Sequence, residues 1–248
     1  MNNSSFEAIR ETKSSTVDWL AGGGETGRLI RETDWSETPL GPISSWSPSL
    51  NMMARFLLAN RFPLLLWWGP QFCQLYNDPY RPVLGAKHPK SMGQPASECW
   101  SEIWRIIGPL IETVFRGGPP AWSEDIFLEI NRHGFVEETH FTFAYSPVPD
   151  ETVPSGIGGV LATVHEISEK VVGERRLVAL RDLGAKQEAK TVEEACHVAA
   201  ETLAKHPKDI PFALLYLIDP DGRQARLAGA AGVSRGGPAS PQVIELGE

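Results

Sequence analysis

The chain has 248 residues, of which 42% are apolar and 22% charged, and a net charge of −8. These proportions exclude a wholly disordered chain and fit a folded domain with a second, smaller one beside it. The acidic balance, with no stripe of Lys and Arg, excludes the basic face of a nucleic-acid reader and argues against electrostatic docking to an anionic membrane.

Residues 1–45 read as an arm and lead-in. The first 33 are polar around Gly22-Gly23-Gly24, a flexible linker by composition, with a short helix expected near residues 17–20. Thr38-Pro39-Leu40-Gly41-Pro42 is loop chemistry. Ser47-Pro48 then supplies an N-cap and a first-turn proline. Leu50, Met53, Leu57 and Leu58 recur behind it at helical spacing, predicting an amphipathic helix over 48–60. Residues 64–68 and 72–76 are short apolar runs flanking Gly69-Pro70-Gln71, which reads as a hairpin. Residues 80–96 are rich in proline and allow only short helical turns.

Residues 98–115 read as a helix whose apolar face carries Ile103, Ile106, Ile107, Leu110, Ile111 and Val114. Gly108-Pro109 is expected to kink or split it, since proline lacks a backbone donor and crowds the preceding turn. After Gly117-Gly118-Pro119-Pro120 the period becomes alternating. Trp122, Ile126, Leu128 and Ile130 share one face of a strand, and Asn131-Arg132-His133-Gly134 is a turn. A second strand over 135–145 puts Phe141, Phe143 and Tyr145 on one face. A loop is expected over 147–155. A third strand covers 156–167, where Gly158-Gly159 marks a bulge or a close backbone approach.

Two strands, a helical middle and three strands make an α+β domain. The order is that of a PAS-like five-stranded antiparallel sheet with helices on one side, assigned to residues 46–167. Residues 168–190 form a charged connecting helix. Val171, Val178 and Ala185 fall seven apart there, beside a partial row of Leu177, Leu180 and Leu183, a short and imperfect heptad signal. Thr191 is a candidate N-cap, with Glu194 completing a capping box for a helix to residue 205. A strand over 212–218, the turn Asp219-Pro220-Asp221-Gly222 and a return over 224–230 follow. One helix and one hairpin do not bury a core of their own. Residues 191–248 are therefore expected to be the truncated start of a second, α/β domain.

Motif chemistry points away from an autonomous enzyme, because no nucleophile–base or paired-carboxylate constellation emerges. His165-Glu166-Ile167-Ser168 superficially resembles a phosphoacceptor box, but no Arg-x-Pro follows it and the chain holds no glycine-rich ATP lid. It reads as the end of a strand. Residues 98–115 contain no histidine to ligate haem, and Cys99 lies in Ser-Glu-Cys-Trp rather than a flavin-adduct motif. The three cysteines, Cys73, Cys99 and Cys196, have neither disulfide nor metal spacing, which fits a reducing compartment. Residues 1–15 show no apolar signal region. Residues 56–68, the most apolar stretch, are interrupted by Asn60, Arg61 and Pro63 and are too short to span a bilayer. A cytoplasmic location is expected, with no metal and no membrane or nucleic-acid partner.

Asp34-Trp35-Ser36, Thr38–Pro42, Trp46-Ser47-Pro48-Ser49-Leu50, Trp68-Gly69-Pro70, Leu75-Tyr76-Asn77-Asp78, Leu84-Gly85-Ala86-Lys87-His88-Pro89 and Trp100-Ser101-Glu102-Ile103-Trp104 form an ordered series. It continues through Glu137-Glu138-Thr139, Tyr145-Ser146-Pro147, Glu174-Arg175-Arg176-Leu177 and Pro211-Phe212-Ala213-Leu214-Leu215-Tyr216-Leu217. This series resembles the N-terminal PAS–GAF region of bacterial, often hybrid, sensor histidine kinases over roughly residues 25–232. The resemblance implies a sensory input module of a two-component phosphorelay, with residues 191–248 the truncated start of a GAF-like α/β domain. Kinase activity would belong to a parent protein and not to this chain alone. Glu166-Ile167-Ser168 stands where such domains carry an Asp-Ile-Thr-like triplet, and is the candidate relay to the connecting helix. The candidate pocket comprises Trp67, Tyr76, Asn77, Trp100, Trp104, Ile107, Phe127, Phe141 and Phe143. These rings either fill the core or line a cavity for a small apolar or aromatic ligand. No cofactor is expected, and a homodimer through the N-terminal and connecting helices is. The competing reading is a ligand-free PAS dimerisation or protein-interaction module.

Overall fold

The computed structural model describes residues 22–185 and 189–247. The chain divides into two compact units, one ending at Ser168 and one beginning at Glu169.

The first unit opens with α1 (Gly24–Glu32). The glycine triplet is a helix start rather than a free linker. Gly23 at the N-cap has φ 74° and Gly24 has φ 62°, a region that disfavours side chains. Ile30 is fully buried. The next two segments pack as well: the Trp35 indole donates to Ile30 O at 2.7 Å, that of Trp46 donates to Gly41 O at 3.1 Å, and the two rings meet edge to face at 4.9 Å. The mobile arm expected to residue 33 is thus corrected over residues 24–33. The helix expected near residues 17–20 lies outside the described residues. α2 (Pro48–Ala59) starts as its sequence dictates, with Ser47 Oγ accepting from the Leu50 N–H at 3.1 Å. The same hydroxyl donates to Asp150 at 2.6 Å.

β1 (Leu64–Trp68) and β2 (Cys73–Tyr76) form the expected hairpin. A short helix, α3 (Arg81–Leu84), follows. The long helix expected over 98–115 is two helices, α4 (Ala96–Cys99) and α5 (Trp104–Phe115). The break lies at Trp100–Ile103 and not at Gly108-Pro109. α5 runs through Pro109, whose missing N–H would have bonded to Arg105, an exposed residue. Gly108 makes room for Trp104, since a Cβ there would stand 2.8 Å from the indole. Of the expected apolar face, Ile103, Ile107, Ile111 and Val114 are buried but Ile106 is exposed.

β3 (Ala121–Asn131), β4 (Val136–Pro149) and β5 (Ile157–Glu166) complete an antiparallel sheet of order β2-β1-β5-β4-β3. This is a PAS-like fold. β4 runs through Pro147 into the expected loop. Beyond Tyr145 it has only β5 beside it, so a missing donor there interrupts no central ladder. The register skips at Gly158, between Val148↔Gly159 and Pro149↔Ile157. A Cβ on Gly158 would lie 2.5 Å from the Trp68 ring, so both readings of the glycine pair hold. β1 is buried on both faces. α5 packs against β3, β4 and β5, whereas α2 packs on β1 and β2.

The second unit holds α6 (Ser168–Gly184), α7 (Val192–Leu203), β6 (Ala213–Ile218), β7 (Gln224–Ala231) and β8 (Val243–Glu245). The strands form an antiparallel sheet of order β6-β7-β8, in which β8 was not expected. α6 ends at Gly184, short of residue 190; residues 186–188 lie outside the described chain. Thr191 Oγ1 accepts from Glu194 N–H at 3.1 Å, while Glu194 reaches back to the N–H of Lys190, at 2.8 Å, and not to that of Thr191. No helix among the described residues is long and apolar enough to cross a membrane.

Candidate functional site

The inner face of the sheet and α5 enclose a cavity of about 30 Å³. Strand alternation places its floor: Phe141, Phe143 and Tyr145 of β4 are opposed by Ile126 of β3 and Val164 and Ala162 of β5. Trp67 of β1, Trp100 and Ile107 add the walls. Of the residues singled out from sequence, Trp67, Trp100, Ile107, Phe141 and Phe143 line the cavity.

The other four do not. Tyr76 is buried, but its hydroxyl bonds to His88 Nδ1 at 2.9 Å and receives Ser91 Oγ at 3.2 Å. Asn77 is a backbone staple. Its Oδ1 accepts from the Leu64 N–H at 3.0 Å, and its Nδ2 donates to the carbonyls of Leu57, Asn60 and Phe62 at 3.2, 3.2 and 2.8 Å. A side-chain amide can do this because it carries both donor and acceptor. Trp104 is half-buried against Phe72, their centroids 6.1 Å apart. Phe127 lies on the opposite face of β3 from Ile126 and Leu128 and is 47% exposed.

The cavity also takes Tyr80, Val83, Ile130 and Tyr145, which the sequence reading missed. For Tyr145 a signal existed, since it continues the alternation of Phe141 and Phe143. Tyr80 and Val83 sit in the proline-rich segment, where no periodicity exists to read. Among the described residues no Asp, Glu, Lys, Arg or His lines the cavity. Burial pushes the Tyr145 phenol up, and burial with neighbouring Tyr145 and Cys99 pushes Tyr80 well up, so both stay protonated. Trp100 closes the wall through a 3.1 Å bond from its indole N–H to Gln74 Oε1.

A second, polar cleft of about 320 Å³ is lined by Asp78, Arg81, Pro82, Gly85 and His88. Its charges serve the lead-in. Asp78 accepts the N–H groups of Glu25 and Thr26 at 3.1 and 2.8 Å, a carboxylate at the positive end of α1. Burial raises the Asp78 carboxyl, but these bonds, that of the Thr26 hydroxyl and Arg81 outweigh it and hold it below its ordinary value. Glu25 pairs with Arg81 at 2.8 Å and with His88 at 3.1 Å.

The end of β5 forms a third site. Arg132, from the β3–β4 turn, holds Glu166 with two parallel bonds of 2.7 and 2.8 Å. The same guanidinium reaches Glu137 at 3.2 Å and the Pro82 carbonyl of α3 at 3.2 Å. Ser168 donates to Glu166 Oε1 at 2.9 Å and accepts from the His140 N–H at 3.0 Å. The Ile167 N–H bonds to the His140 carbonyl at 2.8 Å. α6 therefore begins two residues after β5 ends, with both junction residues fastened to β4. Burial raises the Glu166 carboxyl; Arg132 and Ser168 outweigh it, and the net shift is downward. Arg132 was not singled out from sequence, where it reads only as a turn residue. Among the described residues no group of three or more His, Cys, Asp or Glu could hold a metal ion. Burial raises the thiols of Cys73 and Cys99 to about 12 and about 11, far from reactive thiolates.

No protein-family model matches the chain, and no curated protein matches it either. Among solved structures it is similar to the PAS domain of BvgS from Bordetella pertussis, at 18% identity over 54% of this chain and 97% of that one, with a TM-score of 0.34. It is similar to a sensory box sensor histidine kinase from Vibrio cholerae, at 15% identity over 48% and 91% of the two chains, with a TM-score of 0.33. A third likeness is to the chromophore-binding domain of a Stigmatella aurantiaca bacteriophytochrome, at 13% identity over 73% and 56%, with a TM-score of 0.29. The strand order and register, rather than these scores, establish the PAS-like fold.

Proposed function

We propose that the chain is a sensory input module in which the cavity of the PAS-like unit biases α6 through the joint at Glu166. The observation that carries this reading is the position of Arg132. One guanidinium bonds the Pro82 carbonyl in α3, whose Val83 lines the cavity, and also the carboxylate at the end of β5. The N–H of Ala86 bonds the Arg132 carbonyl at 2.7 Å, adding a second link from the same wall. A cue that moves α3 then changes the Arg132–Glu166–Ser168 geometry where α6 starts. Such a cue shifts the equilibrium only by its differential affinity for the two arrangements. In this reading the output is a kinase region of a longer parent, the second unit is GAF-like, and the chain itself is not an enzyme.

The partner is a second copy of the chain through α6, on which Leu177 and Leu180 are exposed. Disulfide crosslinking of Val178→Cys in the full-length parent tests that part, and complete absence of crosslinked dimer counts against it.

Amide hydrogen exchange over residues 167–175 tests the joint. Arg132→Gln is expected to speed exchange there at least about tenfold, with β1 protection unchanged. Identical protection in both proteins removes the joint from the mechanism.

A further inference from the structure

The lining of the cavity combines an apolar wall with hydrogen-bonding groups that the protein leaves unused. Trp67 is 2% exposed, and its indole Nε1–H, a donor only, has no acceptor in the protein. Tyr80 and Tyr145 are 4% and 5% exposed, and among the described residues neither phenolic hydroxyl has a hydrogen-bond partner. By contrast Tyr76, its ring 6.2 Å from that of Tyr80, has its hydroxyl bonded on both sides, and the Trp100 indole N–H is paired. Buried polar groups are ordinarily paired, and an unpaired donor in an apolar site costs the molecule its full desolvation. Three such groups around one cavity are the pattern of a site organised for an acceptor.

We infer that this cavity takes a small, neutral molecule carrying a hydrogen-bond acceptor such as a carbonyl oxygen, held by the hydroxyls of Tyr80 and Tyr145 with the Trp67 indole beside them. This deepens the sensory reading above by naming the ligand class of the same cavity. Neutrality follows from the lining: with no charged side chain on it among the described residues, an ion would enter without a counter-charge. Size follows from volume. A water needs roughly 10–15 Å³ of such space, so about 30 Å³ admits the bulk of two or three waters, or a molecule of three or four heavy atoms. A larger ligand has to push the Val83 and Ile107 walls apart.

The test compares acetone with isobutene, which has the same shape without the acceptor. Both are titrated into the chain labelled with ¹⁵N at tryptophan, and the Trp67 indole signal is assigned with Trp67→Phe. Acetone is expected to shift that signal saturably. In the Tyr80→Phe/Tyr145→Phe double variant, which keeps both rings, acetone affinity should fall about five- to tenfold while isobutene affinity is unchanged or higher. Thermal unfolding of the double variant should stay within about 2 °C, because no protein hydrogen bond is lost. Failure of acetone to bind, or equal weakening of both probes, overturns the acceptor class, the first meaning that water holds these groups too firmly to be displaced. Acetone that binds as expected without altering exchange over residues 167–175 leaves the ligand class standing and overturns the relay instead.

Discussion

The two units bury different kinds of side chain. The first fills its core with Trp67, Trp100, Tyr76, Leu65, Leu75 and Ile111, each 3% exposed or less. In the second, the buried residues are small: Ala179, Ala200, Thr202, Ala225, Ala231 and Ser240. Its apolar strand β6 is half-exposed along nearly its whole length. Fully burying a large apolar side chain contributes about 1.5–3 kcal/mol, and a methyl group far less. The first unit therefore has the stability to hold strained or unpaired groups around a cavity. The second relies more on its ladder and on ion pairs such as Arg175 and Arg176 with Asp209.

Truncating one large side chain in each unit tests that contrast most directly. Trp100→Ala removes a buried ring and its bond to Gln74, and is expected to cost about 3–5 kcal/mol in urea unfolding. Leu215→Ala in β6 should cost less, about 1–2 kcal/mol, since its side chain is only partly buried. All eight tryptophans precede Ser168, so indole fluorescence reports the first unit and far-ultraviolet dichroism both. Equal losses for the two variants would show that the second unit has a core as dense as the first. Asn77→Ala is next in size. It strips partners from the Leu64 N–H and from three carbonyls around the end of α2, and about 3 kcal/mol is expected. A loss below about 1 kcal/mol would mean that water replaces the staple.

The Glu166 joint sets a smaller, pH-dependent contribution. Its carboxyl is depressed in the folded chain, so its stabilisation is present above the unfolded value of about 4.3 and is lost as pH falls through the folded value. Exchange over residues 167–175 should accelerate in that acid window more than exchange in β1 does. Arg132→Gln should abolish the difference, because the guanidinium is the main group that lowers the Glu166 pKa. Acid acceleration that survives in Arg132→Gln would assign it to another carboxylate.

Elements set by one buried face or by local turn chemistry were legible in the sequence. α2, the β1–β2 hairpin, the alternation of β4 and the glycine bulge of β5 all follow from local spacing or turn chemistry. What the sequence hid depends on long-range partners. Gly22-Gly23-Gly24 looks like a linker until Asp78, more than fifty residues away, is seen to accept the α1 N–H groups. Proline at 109 looks like a break, yet the carbonyl it leaves unpaired belongs to Arg105, whose exposure only the fold reveals. Arg132 is an ordinary turn residue until Glu166 and Pro82 converge on it. In the candidate site, strand parity found Phe141 and Phe143, whereas Tyr80 and Val83 belong to a segment with no period at all.

Phe127 shows how a single bulge misleads such a reading, and it offers the smallest expected effect. Counted by alternation from Trp122, residues 122, 126, 128 and 130 share one face and an aromatic at 127 is out of phase; its ring chemistry then suggests a pocket. The ladder slips between Ser123 and Ile126, so Ile126, Leu128 and Ile130 face inward while Trp122 and Phe127 both point outward. Trp122 is 64% exposed as a result, although the pattern had set it among the buried positions. Phe127 rests beside His140, centroids 5.5 Å apart, on the open side of the sheet. Phe127→Ala should therefore change stability by no more than about 0.5–1 kcal/mol and leave acetone binding unaltered. A loss of several kcal/mol, or a weakened probe, would mean that β3 pairs in the unslipped register in solution, which would turn Phe127 inward and take Ile126 out of the cavity.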